Sequence, residues 1–231
     1  MGAMQSAASK DKDKGKGKGK GKGGGLPYML EQAKHRVPAP SVKLRGRVLE
    51  WYCIDDFVMG GQSTSTVSVD ANGCLQFQGT ISTSGGGFCS CRTGEANLGI
   101  PSTARGLRVT YTCDTARYKL TLGTGSMSQA DAPVELRDLI WSCPIPEGPG
   151  CQTVNLPFDS FKASVHGRPV SDAVFEALDV NSVGVNCSVF DIEGKMISGL
   201  LGGDFAFTLE KVEILESDQK EWMSCPCCSR S

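Results

Sequence analysis

Histidine is almost missing from this chain. Its 231 residues include two, His35 and His166, and general acid–base and nucleophile–base chemistry most often runs through that side chain. No GxSxG nucleophile elbow is present. Both absences argue against an enzyme, and no residue is given a catalytic role. Aromatics are sparse at 7%. No apolar run approaches the roughly 18 residues of a membrane-spanning helix, and no secretory h-region opens the sequence. That lack, with an odd count of 11 cysteines, predicts reduced thiols in a cytosol-like compartment.

The net charge of −1 hides an asymmetry. Residues 1–22 carry seven Lys against two Asp, a net of +5, which leaves −6 on the rest. Basic charge is thus confined to a tail, and the remainder has no nucleic-acid signature. The Gly-Lys alternation of residues 1–25 cannot bury apolar surface, so a disordered tail is expected. It has no Arg, carries Asp11 and Asp13, and lacks an apolar helical face, unlike a mitochondrial presequence. Met1-Gly2 with Ser6 fits the myristoylation pattern, and Lys10 to Lys22 would supply the polybasic second signal for an anionic membrane face. Residues 26–46, with paired prolines in "VPAPSVKLRG", read as a linker, and "YMLEQAKHR" as a short helix. Residues 218–231 form a second tail. Its Cys225, Cys227 and Cys228 are too few for a closed zinc site but are lipidation candidates.

Between the tails, over 47–217, the pattern has period 2. "TSTVSVDANGCLQFQGTIS" alternates on both sides of Asn72-Gly73, a strong hairpin signal. Leu75, Phe77 and Gly79 share one face there. "RGLRVTYTCDTARYKLTLGT" reads as a second hairpin turning at Asp114-Thr115-Ala116, with Leu107, Val109, Tyr111 and Cys113 on one face. "GFCSCRT", "LIWSCPI", "CQTVNLPF", "SVGVNCSVF" and "DFAFTLEKVEIL" supply more strands, and "SDAVFEALD" one short helix. Turn residues every ~8–12 positions predict an all-β antiparallel sandwich of jelly-roll type.

The most distinctive stretch is "IDDFVMGGQSTSTV". In an extended segment Asp55 and Asp56 point to opposite faces, so they cannot serve one substrate atom as a pair. Gly60-Gly61 permits positive φ and close backbone approach. A turn or bulge follows, with Asp56 and Ser63 bonding exposed backbone groups. Because loops carry function, Asp55, Asp56, Met59, Gly60, Gly61 and Ser63 are partner-binding candidates, joined by Phe88 and Arg92. "GGGF" at Gly85–Phe88 lacks the Lys-Ser/Thr of a phosphate loop and reads as a flexible connection between strands. Cys89 and Cys91 share a strand face with no second CxC, so they read as small buried hydrophobes, not metal ligands. No cofactor is implied.

Five blocks in order carry a family resemblance: "W-x-x-x-D-D-x-V-M-G-G-x-S" from Trp51, "G-x-L-x-F-x-G-x-x-S…GGGF-x-S-x-R" to Arg92, "RYKLTL", "LPFDSFKASVHGRPV" and "GDFAFTLEKVEI". Over about residues 48 to 216 the chain resembles the NADH:ubiquinone oxidoreductase complex I intermediate-associated protein 30 family. The resemblance implies a galactose-binding-domain-like β-sandwich without catalysis. It implies chaperone-like assembly of mitochondrial complex I, a protein client and a mitochondrial setting, where the tail alone suggests a cytoplasmic, membrane-associated one. Two other readings stand beside it. One is a carbohydrate-binding sandwich, for which Trp51 and Trp141 in predicted strands are poor sugar platforms. The other is a membrane-tethered adaptor unrelated to complex I.

Overall fold

The computed structural model describes residues 35–216 apart from 95, 115–116, 125–138, 149 and the side chain of Val58. Both tails fall outside them, and with them the candidates Gly2, Cys225, Cys227 and Cys228.

Among the described residues, thirteen strands build two antiparallel sheets. The larger contains β1 (Val37–Leu44), β2 (Arg47–Asp55), β5 (Phe88–Thr93), β12 (Ser182–Ser188), β7 (Tyr118–Gly123), β8 (Leu139–Pro144), β10 (Lys162–Val165) and β11 (Arg168–Pro169), in that order across the sheet. The smaller orders β3 (Thr64–Val69), β4 (Leu75–Ile81), β13 (Gly203–Glu216), β6 (Ala104–Cys113) and β9 (Cys151–Pro157). This is the all-β sandwich that the alternation predicts. Inner faces meet through Leu75, Phe77, Leu107, Val109, Phe205 and Phe207 of the small sheet and Trp51, Cys89, Cys91, Leu120 and Val185 of the large one, all buried. Tyr111 stacks on Phe207 with ring centroids 5.4 Å apart, and Tyr118 of the opposite sheet tilts against the same ring at 4.8 Å.

The Asn72-Gly73 hairpin forms as expected. Gly73 takes φ +80°, and the Asp70 carboxylate accepts the Asn72 and Cys74 N–H groups at 2.9 Å. The second expected hairpin does not form. β6 lies in the small sheet and β7 in the large one, so the chain crosses the sandwich at Asp114. That side chain stays with the small sheet, accepting the Ala206 N–H, while it also accepts the Tyr118 hydroxyl at 2.9 Å. Two arms with inward apolar faces satisfy period 2 equally well paired in one sheet or facing across a core. The expected linker ends early, because Val37–Leu44 pairs with β2 and buries Ala39 and Val42. "SDAVFEALD" yields one 3-10 turn, Ala177–Asp179, inside a segment that packs Phe175 on Trp141 and Phe158. Here tertiary contacts override a weak helical preference.

Candidate functional site

Two consecutive buried carboxylates, Asp55 at the end of β2 and Asp56 just after it, serve different parts of the fold. Asp55, on the inner face, accepts the Ser65 N–H at 2.9 Å and the Ser65 hydroxyl at 2.5 Å. Ser65 belongs to β3, an edge strand of the other sheet, so this carboxylate ties the two sheets together and occupies an edge donor. Asp56 opens a 3-10 turn, Asp56–Met59. Its Oδ1 accepts the Ser63 N–H at 2.9 Å, and its Oδ2 accepts the Ser63 hydroxyl and the Gly87 N–H, both at 2.6 Å. The Phe88 N–H adds a longer bond at 3.3 Å. Ser63 Oγ in turn accepts the Ser82 N–H at 3.0 Å. Charge-assisted bonds of this kind to backbone donors are about twice as strong as neutral ones.

The glycines complete the knot. Gly60 adopts φ +90° and closes the turn onto the Phe57 carbonyl. Gly61 and Gly86 leave the space that the Asp56 carboxylate fills, and a side chain on Gly85 would strike the Gly60 carbonyl. "GGGF" is therefore the seat of a buried anion, not a flexible connection.

The turn's tip faces outward. Phe57 is 50% exposed and Met59 65%. Beside it lies the connection 189–202. The Val189 N–H donates to Gly87 O at 3.0 Å, Phe190 bridges to Met196, and a Cβ on Gly87 would strike Val189. That connection exposes Met196 and Leu201. Lys119, on the outer face of β7, straps it down. Its Nζ donates to Phe190 O at 2.9 Å and Asp191 O at 3.3 Å. Burial holds the Lys119 ammonium below its usual pKa, partly countered by Asp191. Two depressions flank this end. One of about 360 Å³ is lined by Thr64, Thr66, Gln78, Thr80 and Asp204, and one of about 140 Å³ by Ile81, Arg117, Ser188, Leu200 and Asp204.

The candidates separate into roles. Asp55, Asp56 and Ser63 are buried and bonded within the chain, where they hold the loop. Gly60 and Gly61 shape the turn, and Met59 is its exposed tip. Phe88 lends its N–H to Asp56 and is half-buried. Arg92 does not join them. It lies between Tyr52 and Gly184 on the outer face of the large sheet, about 13 Å along the strand from Phe88. Lys119, Met196 and Leu201 were not singled out by motif. The signals available were a lone Lys between Tyr118 and Leu120, and an apolar run in a Gly-rich loop.

Solved structures share this architecture. The family 11 carbohydrate-binding module of the cellulosomal cellulase Lic26A-Cel5E of Clostridium thermocellum superposes with a TM-score of 0.53 at 12% identity, covering 79% of this chain and 95% of that one. A family 11 module from the same organism, in complex with a β-1,3-1,4-mixed-linked tetrasaccharide, gives 0.51 at 13% identity, covering 76% and 94%. At such identity the likeness is one of fold. Among curated protein sequences none matches. The family profile described as complex I intermediate-associated protein 30 matches residues 41–208, which span the carboxylate knot, the glycine seat and the 189–202 connection. The chain belongs to the complex I intermediate-associated protein 30 family.

Proposed function

We propose that this protein is a non-catalytic interaction module that acts as a chaperone-like assembly factor for respiratory complex I in mitochondria. It holds its protein client through the end of the sandwich that carries Phe57, Met59, Met196 and Leu201. The observation that carries this reading is a rigid loop with an apolar tip. Two buried aspartates and a glycine seat fix a turn whose outermost side chains are a Phe and a Met. Exposed large apolar groups on a preorganised frame are what a protein-binding surface needs, since ordering costs are met before the partner arrives. Methionine adds adaptability toward apolar client segments. Family membership supports a client among complex I assembly intermediates.

A carbohydrate-binding role has weaker support. Trp51 and Trp141 are 0% and 6% exposed and cannot stack on a sugar. Tyr52 already stacks with the Arg36 guanidinium, 5.5 Å from its ring centroid.

The test is proximity labelling from the intact protein, natively expressed, with fractionation of mitochondria and other membranes. Wild type is expected to enrich complex I subunits, and Phe57→Ser with Met59→Ser to lose them while remaining folded. Absence of complex I subunits, or enrichment unchanged in the double variant, overturns the reading.

A further inference from the structure

An open sandwich leaves two edge strands per sheet, and each edge presents backbone N–H and C=O groups that invite another strand. Among the described residues the four edges are β1 and β11 of the large sheet and β3 and β9 of the small one. Three are blunted. β1 carries Pro38 and Pro40 and slips register between Ala39 and Lys43. β11 is two residues long, one of them Pro169. β3 has its Ser65 N–H taken by the Asp55 carboxylate.

β9 has none of these devices. It runs seven residues, "CQTVNLP", with no charged side chain and its one proline at the end. Its ladder to β6 is unbroken from Cys151 to Pro157. Thr153 and Asn155 are fixed on the outer face by Thr110 and Arg108, each at 3.0 Å. Val154 packs against the core from the other face. Next to its end, Phe158 packs on Phe175 with centroids 4.7 Å apart, and that segment leaves Val174 77% and Leu178 57% exposed.

We propose that β9 is a self-association edge. Two copies of the chain pair their β9 strands antiparallel about a two-fold axis and merge their small sheets into one. An isologous contact sets each group against its own symmetry mate or that of a near neighbour, so a charged edge would repel itself. β9 has no charge to repel. With the axis at Val154, that residue faces its copy and Thr153 faces Asn155, the β-branched and polar pairs that sheets favour. Val174 and Leu178 give the second copy apolar area to cover. The contact is a single ladder about 24 Å long, smaller than the extended surfaces of standard interfaces, which start at about 1,200 Å², so the dimer is weak and reversible.

Sedimentation velocity of the full chain in reductant, from about 10 µM to about 1 mM, tests this. A concentration-dependent shift from monomer to dimer is expected. Val154→Lys, which sets two ammonium groups together at the axis, and Thr153→Pro, which breaks the edge, should both stay monomeric throughout. Should Thr153→Pro fail to fold, Val154→Lys together with slowed amide exchange across β9 at high concentration decides. A wild type monomeric over the whole range overturns the proposal, as does a dimer that survives Val154→Lys. A monomer whose capture of complex I subunits is lost in Val154→Lys also overturns it and assigns the edge to a client strand. Client capture retained in a monomeric variant leaves the proposed function standing by itself.

Discussion

Gly86 lies flush against Asp56: a Cβ there would stand 2.1 Å from Asp56 Oδ2. The carboxylate cannot swing away, because Ser63 and Gly87 hold it from two other directions. Gly86→Ala is therefore expected to destabilise the fold by about 2–3 kcal/mol, at the upper end for overpacking. Urea unfolding measures it. In an Asp56→Ala background the obstacle is gone, so the same change should cost under about 1 kcal/mol, a coupling that a double-mutant cycle isolates. Equal costs in both backgrounds would show that Gly86 is there for another reason.

Asp55 and Ser65 make a prediction about the edge. Ser65→Ala removes the hydroxyl donor and leaves the N–H bond, so it should cost about 1 kcal/mol. Asp55→Ala loses both bonds and frees a β3 donor, and about 3 kcal/mol is expected because a buried charged anchor is removed. The second variant should also scatter light on mild heating, as uncapped edges recruit other strands. Matching midpoints and matching scattering for the two variants would count against a capping role.

How much of this was legible beforehand depends on the range of the interaction. Strand positions and faces follow from local alternation, as at Leu75 and Phe77 or Leu107 and Val109, because period 2 is a property of the backbone itself. Sheet membership is not local. β6 and β7 read as a hairpin because a cross-core arch has the same pattern. The carboxylate pair was visible as a conspicuous motif, and the two side chains do reach different partners, although Asp56 opens a 3-10 turn instead of continuing the extended strand. Their burial was invisible, because the donors that make it tolerable arrive from Ser65 and from Gly87, 10 and 31 residues away. Lys119 was hidden for the same reason: its acceptors are the carbonyls of residues about 70 positions on.

Lys119→Met tests the strap. Methionine matches the stem in length and removes the donor, while relieving the desolvation of a charged group. Global stability should move by less than about 1 kcal/mol, since replacing a buried ion with an apolar isostere is often near neutral. Local behaviour should change more. Amide exchange in 189–202 is expected to quicken about tenfold or more as the loop opens without global unfolding, and client capture should fall with it. Unchanged exchange in that loop, in a folded protein, would show that the lysine is not what restrains it.

The buried thiols predict how the protein fails at alkaline pH. Burial pushes Cys53 and Cys143 up to about 11, and Cys187 up to about 12, from an ordinary 9.0. Asp114 adds to the rise at Cys187 and Lys119 opposes it. Below about pH 9 these thiols are protonated in both folded and unfolded chains, and the preference of the fold for the neutral thiol is fully present. Between 9 and each raised value the unfolded chain has released protons that the folded chain still binds. Stability then falls as pH rises, by up to about 1.4 kcal/mol per pH unit for each thiol. Urea unfolding should be nearly flat from about pH 7 to 8.5 and decline from about pH 9 onward. Cys187→Ala costs a small cavity at every pH, so its curve starts lower, but it should decline less steeply than wild type between about pH 9 and 10 because one titrating thiol is gone. Parallel curves for the two proteins would mean that the alkaline loss comes from other groups, such as Tyr111, whose burial also raises its hydroxyl to about 12.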